Sequence, residues 1–108
     1  MRYEILFFAA SVKTLIEKWP AGIYASFVRI SEQMVMSGPN LGMPYTKAMG
    51  DGLFEIRARG PEGIGRAFFC CMKGRRVVIL HGFVKKTQAT PIKELRVAKQ
   101  RMKEVFND

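Results

Sequence analysis

Glu55, Arg57 and Arg59 occupy alternate positions of the segment Leu53–Arg59. In an extended strand that spacing sends all three side chains to one side. Two guanidiniums on one short face make a surface suited to phosphate oxygens, because each presents a planar fork of donors. Arg66 opens the next apolar run, just across the turn Gly60-Pro61-Glu62-Gly63, and in register it can join the same patch. The plain alternative is a solvated charged face, with Arg66 as a cross-strand partner of Glu55 or a rim residue. His81 is the only histidine. In an apolar strand it is either a hydrogen-bonded structural residue or a proton-transfer group, since an imidazole can exchange a proton near neutral pH. Lys85 and Lys86 end that strand, and Thr87, Gln88 and Thr90 follow with hydrogen-bonding side chains. A loop at the end of a rigid strand is a usual carrier of functional groups, although a solvated lysine pair is the simpler reading.

The charge of the whole chain favours a polyanionic partner. Its 108 residues hold 18 Lys plus Arg against 9 Asp plus Glu, a formal net charge of +9. A field of that size on a small body attracts nucleic acid, an anionic membrane surface or an acidic protein. It belongs to the C-terminal half. From Arg57 to Lys103, the basic residues Arg57, Arg59, Arg66, Lys73, Arg75, Arg76, Lys85, Lys86, Lys93, Arg96, Lys99, Arg101 and Lys103 are opposed only by Glu62 and Glu94. No run approaches the ~20 apolar residues of a membrane span. The first ten residues lack the basic and apolar regions of a signal peptide. A cytoplasmic protein is therefore expected, without membrane contact. Cys70 and Cys71 are adjacent and lack zinc-site spacing, so reduced core thiols are expected, with no metal and no cofactor.

These side chains need a scaffold, and the length allows one domain over residues 1–108. Tyr3–Phe8 reads as a strand. Ser11 suits a helix cap, followed by Val12, Leu15 and Ile16 on one face. Trp19-Pro20 breaks that helix, and Pro20 suits the first turn of a second one. Ile23, Phe27, Ile30 and Met34 form the core-facing stripe of the second helix, which ends at Ser37-Gly38-Pro39-Asn40. Leu41–Gly52 reads as a loop. Three strands follow, at Leu53–Arg59, Ile64–Met72 and Arg76–Val84, the last central to the sheet. Thr90 and Pro91 open a final helix as cap and first residue, with Leu95, Ala98, Met102 and Val105 inward. Lys93, Arg96, Lys99 and Lys103 cover its other side, either to hold RNA phosphates or only to solubilise. The pattern predicts an α+β fold: strand, helix, helix, three antiparallel strands, helix. The helices are expected on one face of a small, mainly antiparallel sheet.

The segments Gly52–Arg57, Arg66–Phe69, Val78–Gln88 and Thr90-Pro91, with the basic helix after them, closely resemble the phage-derived HigB-like toxin family, His81–Pro91 most specifically. That family lies within the RelE/ParE toxin superfamily, and the resemblance runs from about Tyr3 to the C-terminus. It implies the toxin of a type II toxin–antitoxin pair, acting as a ribosome-dependent endoribonuclease. Such toxins cut mRNA in the ribosomal A site by attack of the ribose 2′-hydroxyl, without a metal. The implied partners are the ribosome, mRNA and a cognate antitoxin with a helix-turn-helix DNA-binding domain. Arg57 and Arg66 match arginines of the RelE sheet site and are implied to clamp the phosphate and its transition state. Lys86 matches a basic residue after the last strand, with a leaving-group or phosphate contact. Two positions depart from the family. Glu55 stands where RelE has a lysine, as a general base or as an anchor for Arg57 or Arg66. Ile92 stands where many RelE-type toxins carry a tyrosine, which leaves Phe83 or His81 to meet the mRNA base. The expected catalytic set is Arg57, Arg66, Lys86, Glu55 and His81. The expected RNA contacts are Arg59, Lys85, Thr87, Phe83, Lys93 and Arg96. Two other readings stay open: a ParE-like gyrase-inhibiting toxin on the same fold, and a basic RNA-binding module without catalysis.

Overall fold

Strand alternation at Leu53–Gly60 divides the molecule into two cores. Phe54, Ile56 and Ala58 point to one face of the sheet, and Leu53, Glu55, Arg57 and Arg59 to the other. In the computed structural model, which describes residues 2–85 and 90–107, the elements are β1 (Glu4–Phe7), α1 (Ala10–Glu17), α2 (Ala21–Ser37), β2 (Thr46–Gly50), β3 (Leu53–Gly60), β4 (Gly63–Met72), β5 (Arg76–Lys85) and α3 (Ile92–Phe106). The strands form a single sheet in the order β1-β5-β4-β3-β2. β1 lies parallel to β5, and every other neighbouring pair is antiparallel.

The expected α+β class and element order are present, with three differences of placement. First, the helices do not share one face. α1 and α2 cover Ile56, Ala67, Phe69, Val77 and Ile79. α3 lays Leu95, Ala98, Met102 and Val105 on Leu53, Phe68, Cys70, Val78 and Leu80 on the opposite side. Ala67–Cys70 is fully buried on both sides, as a continuous apolar strand demands. Each large side chain so enclosed stabilises the fold by about 1.5–3 kcal/mol. Second, the segment read as a loop contains β2, a short edge strand paired with β3. Its sequence, Thr-Lys-Ala-Met-Gly, has little β-propensity, so pairing with β3 rather than composition sets its conformation. Third, β4 rather than β5 is the middle strand.

The caps differ as well. α1 begins at Ala10, one residue before Ser11, with Ala9 at the cap position. Leu15 of its expected apolar face is exposed, while Val12 and Ile16 are buried. Pro20 and Pro91 each sit at the cap, one position ahead of the first helical turn, and neither helix has a side-chain cap. The α2 stripe Ile23, Phe27, Ile30 and Met34 is wholly buried as expected.

Two packing details aim the side chains of β5. Trp19, at the break between α1 and α2, lies flat against the sheet over Gly65 and Gly82. A Cβ at Gly65 would stand 2.5 Å from Trp19 Cζ3, and one at Gly82 would stand 2.9 Å from Trp19 Cζ2. Only glycine lets the ring approach this closely. The register then slips between β4 and β5: Phe69 opposes Ile79, but Phe68 opposes His81, so Leu80 is an extra residue. Unbroken alternation from Ile79 would turn His81 toward α1 and α2. The bulge returns it to the α3 face, opposite Phe68. Arg101 of α3 donates from Nη1 to the Leu80 carbonyl at 2.8 Å, which satisfies the group the bulge displaces. Its guanidinium also lies over the Phe8 ring, 5.2 Å from the centroid.

Candidate active site

Arg57 and Arg66 are direct cross-strand partners on the α3 face of the sheet. Like charges facing each other across a ladder repel, so something must balance them. Glu55, two residues before Arg57, does so. Its Oε1 lies 3.1 Å from Arg66 Nη1 and 3.9 Å from Arg57 Nε. Glu55 is 0% exposed and Arg66 2%. Charges this deep persist only when paired and hydrogen-bonded. The second carboxylate oxygen, Oε2, accepts a hydrogen bond from Thr90 Oγ1 at 3.3 Å. Both oxygens of Glu55 are therefore engaged by neighbours, as in an anchor rather than a free base. Thr90, expected as a helix cap, is turned to the sheet instead.

Arg57 is less buried and reaches toward the sheet edge. Its backbone N–H donates to the Tyr45 carbonyl at 2.8 Å, and its Nη1 lies 3.9 Å from Met43 Sδ. The cluster of Glu55, Arg57 and Arg66 carries one net positive charge. Part of it is open to solvent through Arg57.

His81 stands two strands from Glu55 on the same face, because Phe68 opposes both residues. Its Nε2 is 3.0 Å from Glu94 Oε1, and both side chains are partly exposed. Glu94 lies in the first turn of α3, where a carboxylate is also favoured by the helix dipole. The leading end of α3 is thus tied to the site twice: to β3 through Thr90 and Glu55, and to β5 through Glu94 and His81. Sequence reading missed Glu94. The available signal was its place as the one acid in the first turn of a basic helix, which follows a lone histidine's strand.

The remaining expected contacts separate. Phe83 opposes Arg66 but is buried in the α3 core, its ring 5.9 Å from Phe68, so it packs rather than faces a nucleic acid. Arg59 is exposed on the same strand face as Arg57. Lys85 opposes Ile64 and is half-buried. Lys93 and Arg96 are exposed on α3. Lys86 and Thr87 lie outside the described residues. Among the described residues, no three His, Cys, Asp or Glu side chains group to hold a metal ion, and no helix is long and apolar enough to cross a membrane. Cys70 and Cys71 are free thiols turned to opposite cores. Burial, with the adjacent Cys71 thiol, pushes the Cys70 pKa up to about 11, and burial also raises that of Cys71.

A five-stranded mixed sheet with two helices on one face, one on the other and a basic patch under the last helix defines a RelE-like α+β fold. A chain of the crystal structure of the archaeal RelE–RelB complex from Pyrococcus horikoshii OT3 superposes on it with a TM-score of 0.58. The two share 18% sequence identity, and the match covers 82% of this chain and 100% of that chain. No curated protein matches the sequence. The family model described as phage derived protein Gp49-like (DUF891) matches residues 14–103, and the chain belongs to that family.

Proposed function

We propose that this chain is the toxin of a toxin–antitoxin pair and cuts mRNA in the ribosomal A site. One observation carries the reading. Two arginines from adjacent strands converge on one buried carboxylate, beside a histidine–glutamate pair on the same face. In the reaction, the ribose 2′-hydroxyl attacks the adjacent phosphorus, the P–O5′ bond breaks, and a 2′,3′-cyclic phosphate forms. The 2′-hydroxyl proton leaves to a base and the departing 5′-oxygen takes one up, so no redox partner is consumed. Arg57, the more open guanidinium, holds the phosphate and its growing negative charge. Arg66 and Glu55 fix it from below, with Arg66 adding positive potential at the floor. His81 handles a proton, held in orientation by Glu94. Lys86 keeps the leaving-group or phosphate contact that the family resemblance implies. Arg59, Lys85, Lys93 and Arg96 supply longer-range attraction to RNA.

That the similar archaeal RelE stands in a complex with RelB supports a neutralising protein partner. An antitoxin with a helix-turn-helix domain and an acidic segment would complement the +9 charge in the cytoplasm. The test is to add the purified chain to a translating extract and map mRNA ends. New cuts at A-site codons are expected. Intact mRNA together with gyrase-linked DNA breaks would favour the ParE-like alternative. RNA retention without cuts would favour the binding module, whose affinity would fall steeply with salt.

A further inference from the structure

Beside the arginine cluster, at the corner of the sheet where β2 begins, lies a cleft of about 330 Å³. We infer that this cleft is a nucleotide subsite for single-stranded RNA, in which one base stacks on Tyr45 and its phosphate meets Arg29 and Arg59. The inference rests on the RNA reading above and names where the strand runs beyond the cut. Arg29 comes from α2 and Arg57 and Arg59 from β3, and among the described residues no carboxylate lines the cleft. Tyr45 is 52% exposed and Met43 58%. An open aromatic ring among guanidiniums is how proteins hold unpaired bases: the ring takes any base face while the cations follow the backbone.

Continuity with the reaction centre favours RNA over a protein segment. Arg57 belongs both to the cluster and to the wall of this cleft, and it is joined to Tyr45 by the bond from its backbone N–H. A phosphodiester on Arg57 therefore leads directly to the Tyr45 ring. The volume lies at the small end of the ~300–1,000 Å³ range of ligand sites, nearer one nucleotide than a peptide. A second cleft of about 450 Å³ shares Ser26, Arg29 and Tyr45 and continues along α2 past Gln33. It gives the neighbouring nucleotide a path. The subsite also supplies the aromatic platform that Ile92, fully outward at 67% exposure, does not.

The experiment uses the full chain and a fluorescein-labelled, 2′-O-methylated, unstructured hexanucleotide, read by anisotropy without ribosomes. Tyr45→Ala is expected to weaken binding roughly 5- to 150-fold, the range for loss of one stacked base, and Tyr45→Phe to stay within about twofold of wild type. Arg29→Ala is expected to weaken binding and flatten its salt dependence by about one phosphate contact. Tyr45 and Arg29 are exposed, and matching circular dichroism melts establish that each variant is folded. Wild-type affinity in Tyr45→Ala would overturn the inference. So would Tyr45-dependent binding of a Glu-rich peptide alongside Tyr45-independent binding of RNA, which would assign the cleft to a protein. Because the readout needs no cleavage, its failure is separable from failure of the nuclease reading, which the mRNA-end map decides.

Discussion

Replacing Glu55 by glutamine keeps the shape of the side chain and removes the charge that Arg66 needs. At 3.1 Å and an effective dielectric near 20, the Glu55–Arg66 attraction is about 5 kcal/mol. Mutational experience with one partner removed from a buried pair gives about 3–5 kcal/mol. Both residues are nearly inaccessible, so solvent screening does little to reduce this. The contact with Arg57 is longer and partly exposed, and it adds less. Against a typical total stability of about 5–15 kcal/mol, Glu55→Gln should be severe, lowering the melting temperature by roughly 12–20 °C. Urea unfolding of the purified chain checks it. A second variant guards against simple misfolding: Glu55→Gln with Arg66→Met removes the stranded charge and should recover most of the loss. A change below about 1 kcal/mol in Glu55→Gln, or no recovery in the double variant, would refute the anchor.

Arg101→Leu should cost about 1–3 kcal/mol, because it strands the Leu80 carbonyl at the bulge, and it should shift the His81 ring signals in NMR spectra. Unchanged unfolding and unchanged His81 signals would show that the bulge holds without it. Cys70 gives a pH signature. Its folded pKa, about 11, lies above the ordinary 9.0, so the unfolded chain ionises first. Its contribution is intact below pH 9 and is lost as pH rises from about 9 to 11, by at most about 3 kcal/mol. The difference in urea midpoint between wild type and Cys70→Ala should stay flat up to pH 9 and then narrow; a flat difference to pH 11 would count against it.

How much the sequence could show depended on whether a residue's partner lay nearby in the chain. The α2 stripe was legible because its helical period is local. So was the shared face of Glu55, Arg57 and Arg66, which follows from strand alternation and a two-residue hairpin turn. The burial of Glu55 was not legible, because it depends on α3 crossing the sheet and delivering Thr90 to it. His81 sits on the site face only because one residue is inserted opposite β4, and counting from Val78 and Leu80 alone gives the wrong side. The face taken by α3 did leave a trace: an uninterrupted apolar β4 needs cover on both sides. Phe83 illustrates the converse error, since an aromatic beside basic residues suits either an RNA platform or a core, and here α3 covers it.

The most direct measurement is the single-turnover cleavage rate of programmed mRNA in a ribosome extract, compared for wild type, Arg57→Ala and His81→Ala. Both variants should stay folded, carry wild-type circular dichroism and lose at least ~100-fold in rate, as expected when a charge-stabilising or proton-handling group is removed. Wild-type rates in both folded variants would contradict the assignment of chemistry to this face of the sheet.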